Sequence, residues 1–414
     1  MDTQSVFLCR RTFRVQTSSH DPVRASLVAA VFTGLLFSAT GLWAQDIKVG
    51  ILYPITGNYS YPAKHAVQGA KLAFQEAHYS VGGKKIEIVV EDTRAPDVAH
   101  GLSKARQLVE RDHVDVLMGI IWSPTGIAVS KYVTGKKVPL LLSEAAARVI
   151  TQELRSPYVF RTSFAAGQMT YPFSKYACKD MGYKKVMLLS FESVFARELA
   201  GTFETGCKEV GGTIVDKMFA PLRTADYAPY LSRISAANPD AVWVLFAGAS
   251  AVSFLKQYGE FGMKGKYPLL AFGATASSEV QRQVPDVSEG IVSSYFYSAD
   301  LKNAENQRFV NAYRKAYGEG PAVYSAGGYI TAKFLLAGLE KVNGNIKDKE
   351  PFLRAVRNLR LDTPRGPISF DKFQNAITNV YLLKAEKSSG RIANKVIHTF
   401  VQTEQYWPKG KPMK

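Results

Sequence analysis

Residues that bind metals or form disulfides are scarce in this sequence, which has three cysteines and six histidines among 414 residues. His65, His78, His100 and His113 lie in or beside helix-like stretches, without the paired spacing of a metal site. A G-x-S-x-G elbow, a phosphate-binding loop and a G-x-G-x-x-G after the first strand are also missing. The sequence therefore gives little support for an exported hydrolase, and we expect no metal and no cofactor.

Long apolar runs are also missing, since none approaches the roughly 20 residues that a membrane-spanning helix needs. The run "LVAAVFTGLLF", residues 27–37, follows four arginines and is followed by small residues before Ala44. A basic start, a short apolar stretch and a small residue at the cut are typical of a secretory signal. We predict that residues 1–44 are a cleaved signal peptide and that the mature protein is periplasmic; the alternative is an N-terminal membrane anchor.

Cys9 lies in that signal segment, which leaves Cys178 and Cys207 in the mature chain. Both stand in helix-like stretches, and spacing alone does not tell whether they are bonded. No cysteine stands at the cut, so we do not expect a lipoprotein.

The net charge is +17, and four arginines against two aspartates in the signal leave +15 on the mature chain. Such a balance favours an anionic ligand or an acidic partner, or reflects only a basic solvated surface. The basic residues form no stripe interleaved with aromatics, so we expect no nucleic acid partner.

From Asp46 onward, apolar strands alternate with amphipathic helices. The strands "IKVGILYPI", "KKIEIVVED", "VDVLMGI" and "VPLLLS" are rich in Val, Ile and Leu, which is typical of a parallel sheet covered on both faces. A second run in the same order begins near Arg161, and "ARQLVERDHVDVLMG" in the first run resembles "SRISAANPDAVWVLFAG" in the second. The pattern predicts an α/β fold with two doubly wound parallel-sheet lobes.

The C-terminal part starts no third domain. The stretch "RGPISFDKFQNAITNVYLLKAEK" reads as a turn and a hairpin, and strands so late in the chain must join sheets already built. Residues 406–414 are polar and basic, and we expect them to be a loosely held tail.

Seven segments carry a family likeness: "KVGILYPITG", "QGAKLAFQEA", "VVEDTRAPDVA", "VLMGIIWSPTGIAVS", "YVFRTS", "FARELAGTFETG" and "RGPISFD". In this order they resemble the extracytoplasmic solute-binding proteins of ATP-driven importers, of the branched-chain amino-acid-binding type. The resemblance implies the type I periplasmic-binding-protein fold, whose two lobes close over a ligand. It places three crossovers near Arg161, Ser293 and Gly366, one lobe at 46–161 plus 293–365 and the other at 162–292 plus 366–405.

In open parallel sheets, ligands bind beyond the carboxyl ends of the strands. One strand-exit loop, "GIIWSPT", places Ser123 before Pro124, where proline suits the first turn of a helix and Ser123 is a natural N-cap. The free amides of such a helix start attract an anion. The resemblance implies that Ser123 binds a ligand carboxylate; the alternative is that Ser123 only caps its helix.

The sequence departs from the family pattern in the loops that hold an amino acid. Where the family has a threonine, this chain has Ala147, so in this loop only the backbone groups of Ala145 and Ala147 are available to a ligand. The acidic residue that holds the ligand's ammonium falls in "FGATA", which offers Gly273 and Thr275 but no carboxylate. A buried ammonium needs a countercharge, and Glu144 supplies one only if its side chain points into the cleft.

In some relatives a disulfide links two of these loops. At the matching positions this chain has Arg94 and Trp122 instead of cysteines. Arg94 could stack on the ring or reach the ligand's carboxylate, and Trp122 could also be ordinary packing. Aromatic residues gather in the same loops and favour an apolar pocket. The predicted site comprises Tyr59, Tyr61, Arg94, Trp122, Ser123, Thr125, Ala145, Ala147, Phe195, Phe246, Ala247, Gly273 and Thr275.

These departures favour a carboxylate ligand without a cationic amine, such as an aromatic or other organic acid. An apolar amino acid is the alternative, and a ligand sensor for a membrane receptor is a second one. The expected partners are the small ligand and permease subunits in the inner membrane, and we expect a monomer that captures its ligand by closing two lobes.

Overall fold

The computed structural model describes residues 46–388 and 390–408. The predicted signal peptide and residues 409–414 of the predicted tail lie outside this part. The first elements alternate as the sequence pattern predicts: β1 (Ile47–Tyr53), α1 (Ser60–Glu76), β2 (Ser80–Val81), β3 (Lys84–Asp92), α2 (Val98–Arg106), β4 (Val116–Gly119), α3 (Ser123–Lys136), β5 (Leu140–Leu142) and β6 (Val159–Arg161).

A second alternating series follows: α4 (Thr170–Lys175), β7 (Lys185–Phe191), α5 (Val194–Glu209), β8 (Thr213–Ala220), α6 (Ala228–Ala237), β9 (Ala241–Leu245), α7 (Gly248–Glu260), β10 (Leu269–Phe272), α8 (Ser278–Gln283), α9 (Pro285–Ser288) and β11 (Val292–Tyr295). Three helices and four strands complete the described chain: α10 (Ala304–Tyr317), α11 (Val323–Lys341), α12 (Lys349–Arg357), β12 (Leu361–Thr363), β13 (Gly366–Phe370), β14 (Ala376–Ser388) and β15 (Arg391–Thr403).

The strands form two sheets. The first has the order β2-β3-β1-β4-β5-β6, and the second has the order β12-β13-β14-β11-β10-β9-β7-β8, with β15 paired to β14. Within the first sheet all pairs from β3 to β6 are parallel, and in the second sheet β7 to β11 are parallel. The predicted α/β fold with two parallel-sheet units is confirmed.

The late strands join the second sheet, as their position in the sequence requires. β13 and β14 form the predicted hairpin, and β14 pairs antiparallel with β11. Along the chain, the strands β7 to β11 of the second sheet end at Tyr295, and the next strand of that sheet, β12, begins at Leu361. Both β11 and β12 have their pairing partners in this sheet. We call the first sheet with α1–α3 and α10–α12 the first lobe, and the rest the second lobe.

Close helix packing holds the first lobe together across a long sequence distance. A Cβ atom at Gly69 of α1 would lie 1.9 Å from the backbone oxygen of Ser325 in α11, so only glycine permits this approach. Apolar side chains buried on one face of the first sheet, such as Ile51, belong to the same cluster as Trp243 of the second sheet. Burial of this shared core stabilises both lobes.

Cys178 and Cys207, which the sequence left unassigned, form a disulfide with 5.4 Å between their Cα atoms. It joins the helical turn after α4 to α5. The described part of the predicted loose tail is packed: the ring of Tyr406 lies 4.7 Å from that of Tyr171, and that of Trp407 lies 4.9 Å from that of Phe373. The prediction rested on the basic composition of this segment, and it did not foresee that Tyr406 and Trp407 pack against other aromatic rings. Among the described residues, no helix is both long and apolar enough to cross a bilayer.

Candidate ligand-binding site

A cleft of about 310 Å³ lies between the lobes, at the carboxyl ends of the parallel strands of both sheets. Its wall is built from loops after β1, β4, β5, β7, β8, β9, β10 and β11, from the first crossover and from α11. The lining residues are Tyr59, Ile121, Trp122, Ser123, Pro124, Glu144, Ala146, Phe164, Phe191, Glu192, Ser193, Val194, Phe195, Leu222, Leu245, Ala247, Phe272, Ala274, Tyr295, Phe296 and Tyr324.

Nine of these side chains are aromatic, and seven of them pack ring against ring within the set. In the first lobe, the ring centres of Tyr59 and Trp122 are 5.7 Å apart. In the second lobe, the ring of Phe272 lies 5.6 Å from that of Phe195 and 5.3 Å from that of Tyr295. Aromatic pairs at such distances hold each other in place, so the two faces of the cleft are apolar and fixed in shape.

The Ser123 side chain is one of the polar groups at the first-lobe face. Its Oγ accepts hydrogen bonds of 3.1 Å from the amides of Ala146 and Ala147. A serine hydroxyl has two acceptor positions and one hydrogen. Because both acceptor positions are taken, the hydroxyl hydrogen is left to be donated.

The expectation that Ser123 caps α3 is wrong. The cap residue is Trp122, with extended backbone angles, and Ser123 is the first helical residue, followed by Pro124. Its hydroxyl is directed to the neighbouring loop instead of to its own helix. The first amides of α3 still lack acceptors within the helix, so this helix start keeps its preference for negative charge.

Glu144 and Glu192 are the two carboxylates of the wall. Glu192 forms a two-armed ion pair with Arg197, with both N–O distances at 2.6 Å. Glu144 is buried, and its Oε2 accepts a hydrogen bond from the Ser143 hydroxyl. Burial raises the pKa of Glu144 to about 8, against the lowering effects of that hydrogen bond and of Arg365. Within the described ranges, the wall contains no lysine and no arginine.

The structure brings five of the predicted residues together in the cleft wall: Tyr59, Trp122, Ser123, Phe195 and Ala247. Tyr61 and Gly273 instead line a separate cavity of about 480 Å³. Phe246 is buried in the core of the second lobe, 5.1 Å from the ring of Tyr227. The Thr275 hydroxyl bonds to the backbone of Phe246, and Thr125 is buried beside Gly101.

The backbone groups of Ala145 and Ala147 are engaged within the protein. The guanidinium of Arg161 donates to the carbonyl of Ala147 at 2.8 Å and to that of Ala145 at 3.4 Å. The amide of Ala147 donates to Ser123. Ala146 is therefore the alanine of this loop that faces the cleft.

Arg94 stands outside the cleft wall. Its side chain is 64% exposed and lies 4.0 Å from the Asp92 carboxylate. The aromatic ring beside Trp122 is that of Tyr59. Arg94 therefore takes neither of the two roles considered for it, and Trp122 is part of the aromatic wall of the cleft.

Sequence reasoning missed several wall residues, chiefly Phe164, Phe272, Tyr295, Phe296 and Tyr324. Phe272 directly precedes the loop "GATAS", so the exit of β10 was a usable signal. Phe164 follows β6 and Phe296 follows β11, each on a crossover between the lobes. Tyr324 is in α11, and no local pattern links it to the cleft.

The two lobes, their crossovers and the intervening cleft define a binding protein that encloses a small molecule. Residues 46–391 match the family model described as periplasmic binding protein, and the chain belongs to that family. It is the substrate-binding component of an ABC transporter of the branched-chain amino-acid-binding type, and is not an enzyme. The resemblance noted from the sequence is confirmed.

Known relatives cover almost the whole chain. A Leu/Ile/Val-binding protein homolog 6 of Brucella melitensis is 29% identical over 90% of this chain and 95% of its own length. An ABC transporter substrate-binding protein from Sphaerobacter thermophilus is 30% identical, with a TM-score of 0.84 over 87% of this chain and 99% of that one. A solute-binding protein of an ABC transporter from Rhodopseudomonas palustris BisB5, solved with 3,4-dihydroxybenzoic acid, is 30% identical, with a TM-score of 0.82 over 87% and 98%.

Proposed function

We propose that this protein captures an aromatic carboxylate in the cleft and delivers it to an ABC permease. The observation that carries the proposal is the pairing of an aromatic wall with the Ser123 hydroxyl, whose hydrogen is left to be donated at the start of α3. An aromatic ring would pack against the wall, and its carboxylate would accept the hydroxyl hydrogen.

The size and surface of the cleft support a small flat ligand. Its volume of about 310 Å³ is near the lower end of the range of small-molecule sites. Tyr59 and Trp122 of the first lobe line the same cleft as Phe195 and Phe272 of the second. A planar ring between them would bury both of its faces, and this apolar burial would supply most of the affinity.

The start of α3 supports a negative charge on the ligand. The helix dipole favours an anion there by roughly 0.3–1 kcal/mol at exposed sites, and a hydrogen bond to a charged group adds about 1.5–3 kcal/mol. The relative solved with 3,4-dihydroxybenzoic acid has the same fold at 30% identity and supports this ligand class.

An apolar amino acid is the alternative, since the Brucella relative is named for leucine, isoleucine and valine. Its ammonium would need a carboxylate of the wall. Glu192 is already paired with Arg197, and burial favours the uncharged form of Glu144. Both features favour an acid without an amine. A sensor role for a membrane receptor is a second alternative, and neighbouring genes for a permease and an ATPase would favour transport instead.

Capture by closure belongs to the same proposal. Trp122 of the first lobe and Phe195 of the second both line the cleft, so a bound ligand would add contacts that favour the closed arrangement. We further propose that residues 1–44 direct export to the periplasm and that the mature protein acts as a monomer with its inner-membrane permease.

Titration calorimetry on the chain from residue 45 onward tests the proposal. The panel comprises benzoate, 4-methoxybenzoate, 3,4-dihydroxybenzoate, an aliphatic acid, leucine and phenylalanine. We expect micromolar binding of at least one benzoate, which corresponds to about −8 kcal/mol, and no binding of leucine. Tight binding of leucine without any binding of the acids would overturn the proposal.

A further inference from the structure

Glu144 occupies an unusual position for a carboxylate in a cleft that is proposed to bind an anion. It follows β5 and lines the wall with 8% of its surface exposed. Its Oε2 accepts from the Ser143 hydroxyl, which itself accepts from the Tyr53 hydroxyl at 2.8 Å. Its Oε1 has no hydrogen-bond partner among the described residues.

The backbone of α11 closes the other side of this carboxyl group. A Cβ atom at Gly327 would lie 1.9 Å from Oε1, so the helix touches the carboxyl at a residue that has no side chain. An ionised carboxylate normally has several hydrogen-bond donors or water around it. Glu144 has one donor and an enclosed second oxygen, a setting that suits the uncharged acid.

The titratable groups that face Glu144 come from four parts of the fold. Tyr53 lies in β1, Tyr295 in β11, Tyr324 in α11 and Arg365 just before β13. Burial raises the pKa of each of the three phenols, so they stay neutral near neutral pH. Arg365 is the one cation of this set, and its charge does not outweigh the effect of burial on the pKa of Glu144.

We propose that Glu144 selects the charge of the ligand: as an uncharged acid it admits a carboxylate into the aromatic cleft, and it offers no countercharge to an ammonium. The inference rests on the proposed function, since it concerns the same cleft. Two carboxylates enclosed in one apolar cleft would repel each other strongly, so ionisation of Glu144 would expel the anion. Glu144 thus acts as a specificity residue.

The sign of the pH dependence follows. The ligand's carboxylate is ionised at all pH values above 6, so Glu144 is the group beside the ligand whose charge changes most between pH 6.0 and 8.5. Affinity is full while Glu144 is protonated and falls as the pH rises through about 8. A pKa of about 8 predicts about fourfold weaker binding at pH 8.5 than at pH 6.0. The range stops there because burial also lowers the pKa of Arg365, to about 9.

The test is calorimetry at pH 6.0, 7.0 and 8.5, with whichever of benzoate and 4-methoxybenzoate binds more tightly. We expect the fourfold loss in the unaltered protein and equal affinity at all three pH values in Glu144→Gln, whose amide keeps the shape without a charge. Glu192→Gln is the matched control. It also converts a wall carboxylate to an amide, and we expect the fourfold loss to persist in it.

A second measurement does not depend on the folding of any variant. Calorimetry of the unaltered protein at pH 8.5, in buffers of different ionisation enthalpy, should show uptake of a fraction of a proton per ligand bound. Binding of the benzoates without proton uptake and with the same affinity at pH 6.0 and 8.5 would overturn the role of Glu144 and leave the proposed function standing. Failure of all aromatic acids to bind would overturn the proposed function itself. Leucine binding that Glu144→Gln abolishes would overturn both.

Discussion

The guanidinium carbon of Arg365 lies 5.0 Å from the centre of the Phe296 ring, in the middle of the connections between the lobes. The same guanidinium donates to the carbonyls of Thr162 and Ser163, the latter at 3.0 Å. Thr162 and Ser163 stand on the first crossover and Phe296 on the second, while Arg365 itself lies in the turn between β12 and β13. One buried side chain of the second lobe therefore contacts two of the connections between the lobes.

Replacement of Arg365 by methionine should destabilise the protein. The change removes the donors to two buried carbonyls, and each unsatisfied carbonyl costs about 1–3 kcal/mol. We expect the free energy of unfolding to fall by about 2–4 kcal/mol in denaturant titrations. Arg360→Met, at an exposed position, is the control and should differ from the unaltered protein by less than about 0.5 kcal/mol. Equal stability of the two variants would contradict the stabilising role of Arg365.

Replacement of Ser123 by alanine should weaken the binding of an aromatic carboxylate about ten- to a hundredfold. The reason is the loss of a hydrogen bond to a charged group, worth about 1.5–3 kcal/mol. Calorimetry with the tightest-binding benzoate measures the change. Ser130→Ala, at another buried serine of α3 that is outside the cleft wall, should leave the affinity within about twofold. If both variants bind equally well, Ser123 does not contact the ligand.

Replacement of Phe195 by alanine should weaken both binding and closure. Phe195 is supplied by the second lobe and packs against Phe272, so its ring would contact ligand held on the first lobe. We expect about tenfold weaker binding and a smaller decrease in the radius of gyration on ligand addition, measured by small-angle scattering. Phe261→Ala, at a phenylalanine that is 47% exposed, should behave like the unaltered protein. Closure without any dependence on Phe195 would contradict the proposed contact.

His65 should make the protein less stable at acidic pH. The side chain is 1% exposed, its Nδ1 bonds to the Tyr313 hydroxyl at 2.9 Å, and its Nε2 has no hydrogen-bond partner among the described residues. Burial lowers the pKa of His65, against the nearby charge of Glu319. The unfolded chain therefore takes up a proton at a higher pH than the folded one, and stability is lost as the pH falls below about 6.5.

Thermal unfolding between pH 7.5 and 5.0 measures this effect. His65→Gln should lose less stability across that range than the unaltered protein does. His78→Asn removes an exposed histidine in a turn with positive φ, where asparagine is tolerated, and its pH profile should match that of the unaltered protein. Matching slopes for all three proteins would show that His65 titrates alike in the folded and unfolded chain.

Much of the fold follows from local patterns. Runs of Val, Ile and Leu between amphipathic helices predict parallel strands, and the exits of those strands predict where Trp122, Ser123 and Phe195 lie. These residues could be found because parallel strands bring their carboxyl ends to one edge of a sheet. Neighbouring positions in the loops were harder to choose between. Ala247 faces the cleft while Phe246 enters the core, because successive side chains at the end of a strand point to opposite faces.

The rest of the cleft depends on contacts between distant parts of the chain. Glu144 turns into the wall beside Gly327, a residue of α11 far along the sequence. Phe164 and Phe296, on two different crossovers, meet in the cleft wall with 4.7 Å between their ring centres. The role of Ser123 as an acceptor for the loop after β5 depends likewise on how close that loop comes. No local periodicity encodes such distances.

Trp122 gives the protein a built-in optical reporter. Two further tryptophans occur in the described residues: Trp243 is buried in the core, and the ring of Trp407 lies tilted 4.9 Å from that of Phe373. Trp122 alone among these three borders the cleft. The fluorescence emission of Trp122 should change when an aromatic ligand binds, while the emission of Trp243 and Trp407 stays constant. Ligand screening could then proceed by intrinsic fluorescence, without any label attached to the protein.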